Sequence, residues 1–405
     1  MTTFVTDNTI ALDAQHVLQT YRRAPVVFES GRGCALYTRE GRRYIDLISG
    51  IGVAALGHAH QRLAAALAEQ AGTLLHTSNL FHHPLQAELA ARLATLSGLP
   101  RAFFCNSGAE AIETCLKFAR RYWQGQGQPQ RTGFVALTHS FHGRTMGALS
   151  VTWDEHYRAP FAPLIPGVTF VESGDVSALR AAVTETTAAV VAEPIQGEGG
   201  VRPLSREFAA AIAAVCRETG ALLIADEVQC GLGRTGRPFY SAVLGLQPDL
   251  MALGKALGAG VPIGAALFSE RVASAAQFGD HGSTYGGNLL ACRAALVFLS
   301  ELVDGGLIAH VVDAGRRLEA GLHGIASRQP AVTDVRGAGL MWGIELDRPA
   351  APVVQAALDL GLLINRTSDT VVRLLPAYII TEREIDDALP LLERAIASTM
   401  EGPRS

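Results

Sequence analysis

Charge is scarce in this sequence. Only 18% of the 405 residues are Asp, Glu, Lys or Arg, and the formal balance is -4. Proteins that grip a phosphate backbone or an anionic bilayer carry a basic surplus, so neither nucleic acid nor membrane is an expected partner. Long apolar runs are missing as well. The stretch 48–56, one of the strongest, is interrupted by glycine well before a bilayer could be crossed. Residues 1–24 hold acidic side chains and no apolar stretch ahead of a small-residue cleavage site, so no secretory signal is expected. Cysteine is sparse and scattered: Cys34, Cys105, Cys115, Cys216, Cys230 and Cys292 form no C-x-x-C pair and have no histidines at zinc-like intervals. They read as reduced thiols of a soluble, cytoplasmic protein. His58 with His60, and His82 with His83, lack acidic or cysteine companions, so no metal is expected. Repeats and low-complexity segments are absent.

Small and apolar residues are abundant. Hydrophobic content is 48% with 42 glycines, the make-up of an α/β enzyme with many tight strand-to-helix turns, and the length allows more than one lobe. Helical spacing runs through 63–75, 84–96, 109–123 and 206–219. Apolar strand-like runs at 133–137, 188–192, 221–225 and 263–267, separated by helical segments, predict a largely parallel sheet covered on both faces. After Asn288 the pattern changes to helices over 289–302 and 307–327, strands at 331–336 and 340–346, a helix near 352–360, a strand at 370–375 and a last helix over 382–398. That order predicts a smaller α+β lobe. The expected division is an N-terminal segment, 1–48, whose hairpin-like 34–44 packs with the small domain; a large domain, 49–288; and a small domain, 289–405.

The chemistry centres on Lys255, which lies in the small-residue run 254–264. An amine held among glycines beside an apolar wall loses its proton more readily and can attack a carbonyl. The expected carbonyl is that of pyridoxal phosphate (PLP), with Asp226, at the close of an upstream strand, as the acid beside its ring nitrogen. Ser107, Gly108 and Ala109 open a helix with free N–H groups, a hydroxyl and the positive end of a dipole, which suits a phosphate or, equally, an ordinary serine cap. The turn Phe141-His142-Gly143-Arg144-Thr145 offers a ring that can cover a heterocycle and a guanidinium that can grip a carboxylate. A surface salt bridge explains Arg144 as well. Glu193 and Glu198 follow a buried strand directly, where ligands bind in open α/β sheets, although solvated loop glutamates fit the same positions.

Three further segments need weighing. The glycines from Gly231 to Gly236 fit G-x-G-x-x-G, yet Arg237-Pro238-Phe239-Tyr240 follows where a dinucleotide site needs a helix, and Asp249 precedes a strand where that fingerprint wants an acid at a strand's end. Residues 281–288 bring hydroxyls and amides before a helix, to hold a phosphate or to cap it. Arg373 is a lone charge in an apolar strand and needs an anion from the protein or from a substrate.

In this order the elements resemble the class III, fold type I PLP-dependent aminotransferases, most closely the acetylornithine aminotransferase subgroup, from about Arg23 to Leu392. The most specific segments are 50–60, 76–81, 139–145, 193–200 and 226–236. The resemblance implies a large domain with a mostly parallel seven-stranded sheet flanked by helices, plus a small α+β domain. It implies that Lys255 holds PLP as an internal aldimine and then shuttles a proton. Asp226 pairs with the ring nitrogen, Gln229 with the ring hydroxyl, and Phe141 and Val228 sandwich the ring. Ser107, Gly108 and Ala109 hold the phosphate, reached by Thr284 of a neighbouring subunit, so a homodimer with shared active sites is implied. Arg144 clamps a substrate carboxylate. Arg373 takes the α-carboxylate of glutamate and is masked by Glu198 when the other substrate is bound, with Glu193 counted on the substrate side.

The implied reaction is N2-acetyl-L-ornithine plus 2-oxoglutarate giving N-acetyl-L-glutamate 5-semialdehyde plus L-glutamate, a step of arginine biosynthesis with ping-pong kinetics. Ornithine aminotransferases usually carry tyrosine where this chain has Ile51, so Ile51 favours an acylated donor or one lacking the α-amine. The chain departs from the subgroup at Ala54, Gln61, Ile112, Leu289 and Ala377, and Tyr378 is bulkier than the usual leucine. None of these touches the cofactor chemistry. The alternative is a related ω-aminotransferase acting on succinylornithine, N-succinyl-diaminopimelate, 4-aminobutyrate or a specialised-metabolite amine. An oxidoreductase, or a catalytically silent member of the fold, fits less of the sequence.

Overall fold

The computed structural model describes residues 8–399; the outer ends of the expected N-terminal segment and of the expected small domain, 1–7 and 400–405, lie outside the described residues. Runs of Val, Leu, Ile and Ala make the centre. Thr187–Ala192, Leu222–Asp226 and Leu250–Leu253 are buried at every position, as strands covered on both faces must be. They belong to a seven-stranded sheet ordered Arg101–Cys105, Gly264–Phe268, Leu250–Leu253, Leu222–Asp226, Thr187–Ala192, Gly133–Leu137, Val168–Val171. Gly264–Phe268 runs antiparallel to both neighbours, and the other pairs are parallel. Two strands have no long apolar run to announce them. Arg101–Cys105 starts on an exposed arginine, and Val168–Val171 closes one edge with only its last residue buried.

Helices cover both faces. Gly108–Gly125 turns eight residues inward, including Ile112, Leu116 and Phe118, onto one side of the sheet. Arg206–Thr219 lays Phe208, Ile212 and Val215 on the other. Each fully buried side chain of this size contributes about 1.5–3 kcal/mol. The boundaries follow from capping: Ser205 Oγ accepts from Phe208 N at 3.1 Å, and Gly220 ends the helix in the left-handed region, φ 77°.

Four later strands form an antiparallel sheet ordered Val332–Ala338, Met341–Leu346, Val371–Leu374, Asn365–Arg366. Helix Leu307–Arg328 packs on it. Helix Glu382–Ser398, fixed at its start by a Thr381–Glu384 capping box, packs in turn on Leu307–Arg328. The N-terminal strands Ser30–Arg32, Ala35–Tyr37 and Arg43–Asp46 form a second small sheet, whose last strand pairs in parallel with Leu362–Leu363. Helix Leu289–Leu299 runs on into a π-helical turn, Ser300–Asp304, where a single helix to 302 was expected. Among the described residues no single helix is long and apolar enough to cross a membrane.

Candidate active site

Parallel strands deliver their carboxyl ends to one edge of the sheet, and the predicted acids arrive there together. Asp226 ends Leu222–Asp226, Glu193 follows Thr187–Ala192, and Lys255 follows Leu250–Leu253 after one glycine. Gly254 is needed because a Cβ would lie 3.0 Å from Gly108 N, and Gly108 in turn admits no side chain because its Cβ would lie 2.6 Å from Val228. The lysine turn, the start of helix Gly108–Gly125 and the Asp226–Val228 corner therefore pack directly on one another. At that helix start Ser107 Oγ caps Glu110 N at 3.2 Å, while the Gly108 and Ala109 amides meet no acceptor among the described residues.

Lys255 sits at φ 41°, in the left-handed region that a side chain enters at a cost of roughly 1–3 kcal/mol. Among the described residues its ammonium makes no hydrogen bond or ion pair. Burial lowers its pKa; nearby Glu198 opposes that, Arg373 adds to it, and Asp226 and Glu193 hold it up. The balance remains downward. Such an amine is readied for attack on a carbonyl.

Asp226 is 5% exposed and anchored at both oxygens, which still leaves acceptor capacity: Oδ2 lies 2.7 Å from His142 Nδ1, and Oδ1 accepts from Val228 N at 3.0 Å. Burial alone lowers the His142 pKa, but the bond to Asp226 and the charges of Asp226 and Glu193 reverse that, leaving it raised. His142 was not singled out from sequence. The available signal was its place between Phe141 and Gly143 in a turn already marked as functional. Glu193 differs from the expected substrate contact. Its Oε1 accepts from Phe141 N at 2.8 Å and its Oε2 from Gly197 N at 3.1 Å, so it braces the Phe141 turn from below. Burial beside Asp226 pushes its carboxyl up to about 7, against the pull of His142 and the two amides.

Arg373 is wholly buried and finds its anion in Glu198, Nη1 to Oε1 at 2.5 Å. Gln229 joins them, donating to Glu198 at 3.2 Å and accepting from Arg373 at 3.1 Å. Asn365, another residue missed from sequence, is paired with Arg373 across the sheet and accepts from its Nε at 3.4 Å. Arg373 Nη2 is buried without a partner. A buried cation with one half of its fork free can receive a carboxylate, and Glu198, with its side chain 30% exposed, has room to leave. Burial raises the Glu198 carboxyl, but Arg373 and then Lys255 outweigh it, so its pKa is lowered.

Three other predicted residues lie exposed. Arg144 is exposed, stacks 3.4 Å from the centre of the Tyr157 ring and 5.5 Å from that of Phe141, and has no acidic partner among the described residues. The salt-bridge alternative is thereby removed. Ile51 is 41% exposed, and Thr284 is exposed on a loop whose Ser283 reaches Asn106 at 3.4 Å. The glycine pattern 231–236 serves packing: Cβ atoms at Gly233 and Gly236 would lie 2.4 Å from Leu302 and 2.7 Å from Val312. The next helix is only Tyr240–Val243, so no dinucleotide loop is formed.

Residues 17–396 match the model of the family described as aminotransferase class-III. The chain belongs to that family. Among relatives of this aminotransferase, the acetylornithine aminotransferase of Methanocaldococcus jannaschii is 42% identical over 387 residues, 96% of this chain and 97% of its own. That of Gloeobacter violaceus is 47% identical over 388 residues, covering 95% and 96%. Among solved structures, the ornithine aminotransferase of Toxoplasma gondii, described with partial occupancy of PLP at its active site, is 32% identical with a TM-score of 0.93, covering 99% of this chain and 96% of that one.

Proposed function

We propose that this aminotransferase uses PLP to move the terminal amino group of N2-acetyl-L-ornithine to 2-oxoglutarate; the relatives it resembles carry the name acetylornithine aminotransferase. The residues present fit the cofactor. An unbonded Lys255 amine, a buried Asp226 locked by His142, and the acceptor-free Gly108 and Ala109 amides lie at one corner. Ser107, Gly108 and Ala109 would hold its phosphate, Asp226 its ring nitrogen, Gln229 its hydroxyl, and Phe141 and Val228 its faces. When bound, PLP supplies an electron sink that lets the amine-bearing carbon of the substrate lose a proton. Lys255 Nζ takes that proton and returns it on the other side of the exchange. Arg144 grips the donor's remote carboxylate, Ile51 borders the acylated end, and Arg373 receives the α-carboxylate of glutamate or 2-oxoglutarate once Glu198 withdraws.

The observation that carries this reading is the Arg373–Glu198 pair: a fully buried guanidinium with half its fork free and a movable mask. One pocket can then serve two differently shaped substrates in turn. The high TM-score with an ornithine aminotransferase does not choose between donors, because fold does not fix substrate. Identity with acetylornithine aminotransferases and the isoleucine at 51 favour the acylated donor.

Shared sites in a homodimer are part of the proposal. Leu80 and Phe81 are 85% and 68% exposed, and Tyr285 is 63% exposed beside Thr284. Asn79 joins the two loops, donating to Ser283 O and Gly286 O. An apolar surface of this kind, carrying Thr284, suits a second copy. Six buried unpaired cysteines suit the cytoplasm. The deciding experiment is an amino-donor panel with 2-oxoglutarate. N2-acetylornithine is expected to give the highest kcat/KM, and a higher value for 4-aminobutyrate, succinylornithine or free ornithine sinks the donor assignment.

A further inference from the structure

Four consecutive residues, Ser49, Gly50, Ile51 and Gly52, have φ of 46°, 64°, 63° and 78°. This is one turn of left-handed backbone. For the β-branched Ile51 it is a genuine outlier, and such conformations persist only when the surroundings impose them. The imposing group is Asp46. Its Oδ1 accepts from both Ile48 N and Ser49 N at 2.8 Å, and its Oδ2 lies 2.8 Å from His58 Nε2. Asp46 is 3% exposed, so this carboxylate has little water to fall back on.

His58 is itself fixed by the N-terminal hairpin. Its backbone exchanges hydrogen bonds with Gly33, at 2.8 and 3.0 Å, and a Cβ on Gly31 would lie 2.7 Å from that of His58. On its other side the turn packs against the Lys255–Gly258 turn, and Ser49 Oγ donates to Leu375 O at 2.6 Å, just beyond Arg373. We infer that Asp46 and His58 are positioning residues: they hold the left-handed turn that presents Ile51 at the donor side of the Lys255 site. The N-terminal hairpin thereby takes part in donor binding without touching the donor. This rests on the proposal that Ile51 borders the donor.

The test uses the holoenzyme with His58→Ala and Asp46→Asn, the second retaining an oxygen for the two amides. Hydrogen exchange at the Ile48 and Ser49 amides is read beside KM for N2-acetylornithine and for 2-oxoglutarate. His58→Ala is expected to speed that exchange and raise the donor KM by about tenfold, the weight of one charge-assisted hydrogen bond, while the 2-oxoglutarate KM stays within about twofold. Asp46→Asn is expected to keep most of the amide protection. Unchanged exchange in His58→Ala overturns the inference, and so does an equal rise in both KM values, which marks general loosening. If the wild type prefers another amino donor, the donor assignment fails alone. The exchange readout and the KM split with that other donor still decide the role of the pair.

Discussion

Removing the mask from Arg373 tests the two-substrate design directly. In Glu198→Ala the 2.5 Å contact to Nη1 disappears, and a fully buried guanidinium keeps only Gln229 and Asn365 as neutral partners. Breaking a buried ion pair from one side costs about 3–5 kcal/mol, but the 30% exposure of the Glu198 side chain admits water and screening, so about 2 kcal/mol of lost stability is expected. The same change removes the competitor that a substrate carboxylate must displace. KM for 2-oxoglutarate should therefore fall about tenfold, equivalent to about 1.4 kcal/mol. Glutarate, a dicarboxylate that cannot react, should raise the melting temperature of the variant more than that of the wild type. The pH dependence has a definite sign. Because the folded-state pKa of Glu198 is lowered, its contribution is present above the ordinary carboxylate range and fades as pH falls through the depressed value, an acid limb the variant should lack. Steady-state kinetics and thermal melts with and without glutarate provide the measurements. An unchanged 2-oxoglutarate KM together with equal protection by glutarate would refute the masking argument.

Three further outcomes are expected. Arg144→Ala, which removes a guanidinium with no acidic partner among the described residues, should lower kcat/KM for N2-acetylornithine by about 10–100-fold, the weight of a charge-assisted bidentate contact. N-acetylputrescine, which lacks the carboxylate, should be unaffected, and equal losses for both donors would remove Arg144 from the site. For Glu193, a folded-state pKa pushed up to about 7 means the protonated form is favoured by folding, so its contribution is greatest below the ordinary carboxylate range and declines as pH rises through 7. Glu193→Gln should flatten that part of the stability profile. Denaturant titrations at several pH values measure it, and an unchanged slope refutes it. Phe81→Asp, placing a charge on the exposed apolar loop, should yield monomers by sedimentation with weakened PLP retention, and a dimer of wild-type affinity would exclude this surface as the interface.

Much of this architecture was legible because burial on two faces writes itself as apolar runs. Helices Arg206–Thr219 and Glu382–Ser398 begin and end where the sequence places them, since Ser205, Gly220 and Thr381 are explicit stop and start signals. Strand direction was not legible. Gly264–Phe268 has the same apolar texture as its parallel neighbours yet runs against them, because hydrophobicity records burial and carries no sense of polarity. The edge strand Val168–Val171 escaped for the converse reason, being too exposed to look apolar. At the site, Lys255, Asp226, Glu198 and Arg373 could be named from the sequence, and the pairing of Arg373 with Glu198 came with the family resemblance, but two further partners could not be named. His142 and Asn365 are bound to them across 84 and 8 residues of chain, and only the fold creates those contacts.

Backbone conformation is the other thing the sequence concealed, and it explains how the site holds its shape. Glycine marks positions where left-handed backbone is free of cost, yet Ile51, His139 and Lys255 all adopt positive φ. At roughly 1–3 kcal/mol apiece these conformations are too costly to persist unaided. The contacts that enforce them are specific: Asp46 on the Ile51 turn, and the close approach of Gly254 to Gly108 at the lysine. A residue forced into such a state by its surroundings has few alternatives, so Lys255 and Ile51 are held in place before any substrate arrives. Preorganisation of this kind is stored in hydrogen bonds and close packing outside the pocket. Substitutions at Asp46, His58, Gly108 or Gly254 should therefore disturb the site more than their distance from the substrate implies.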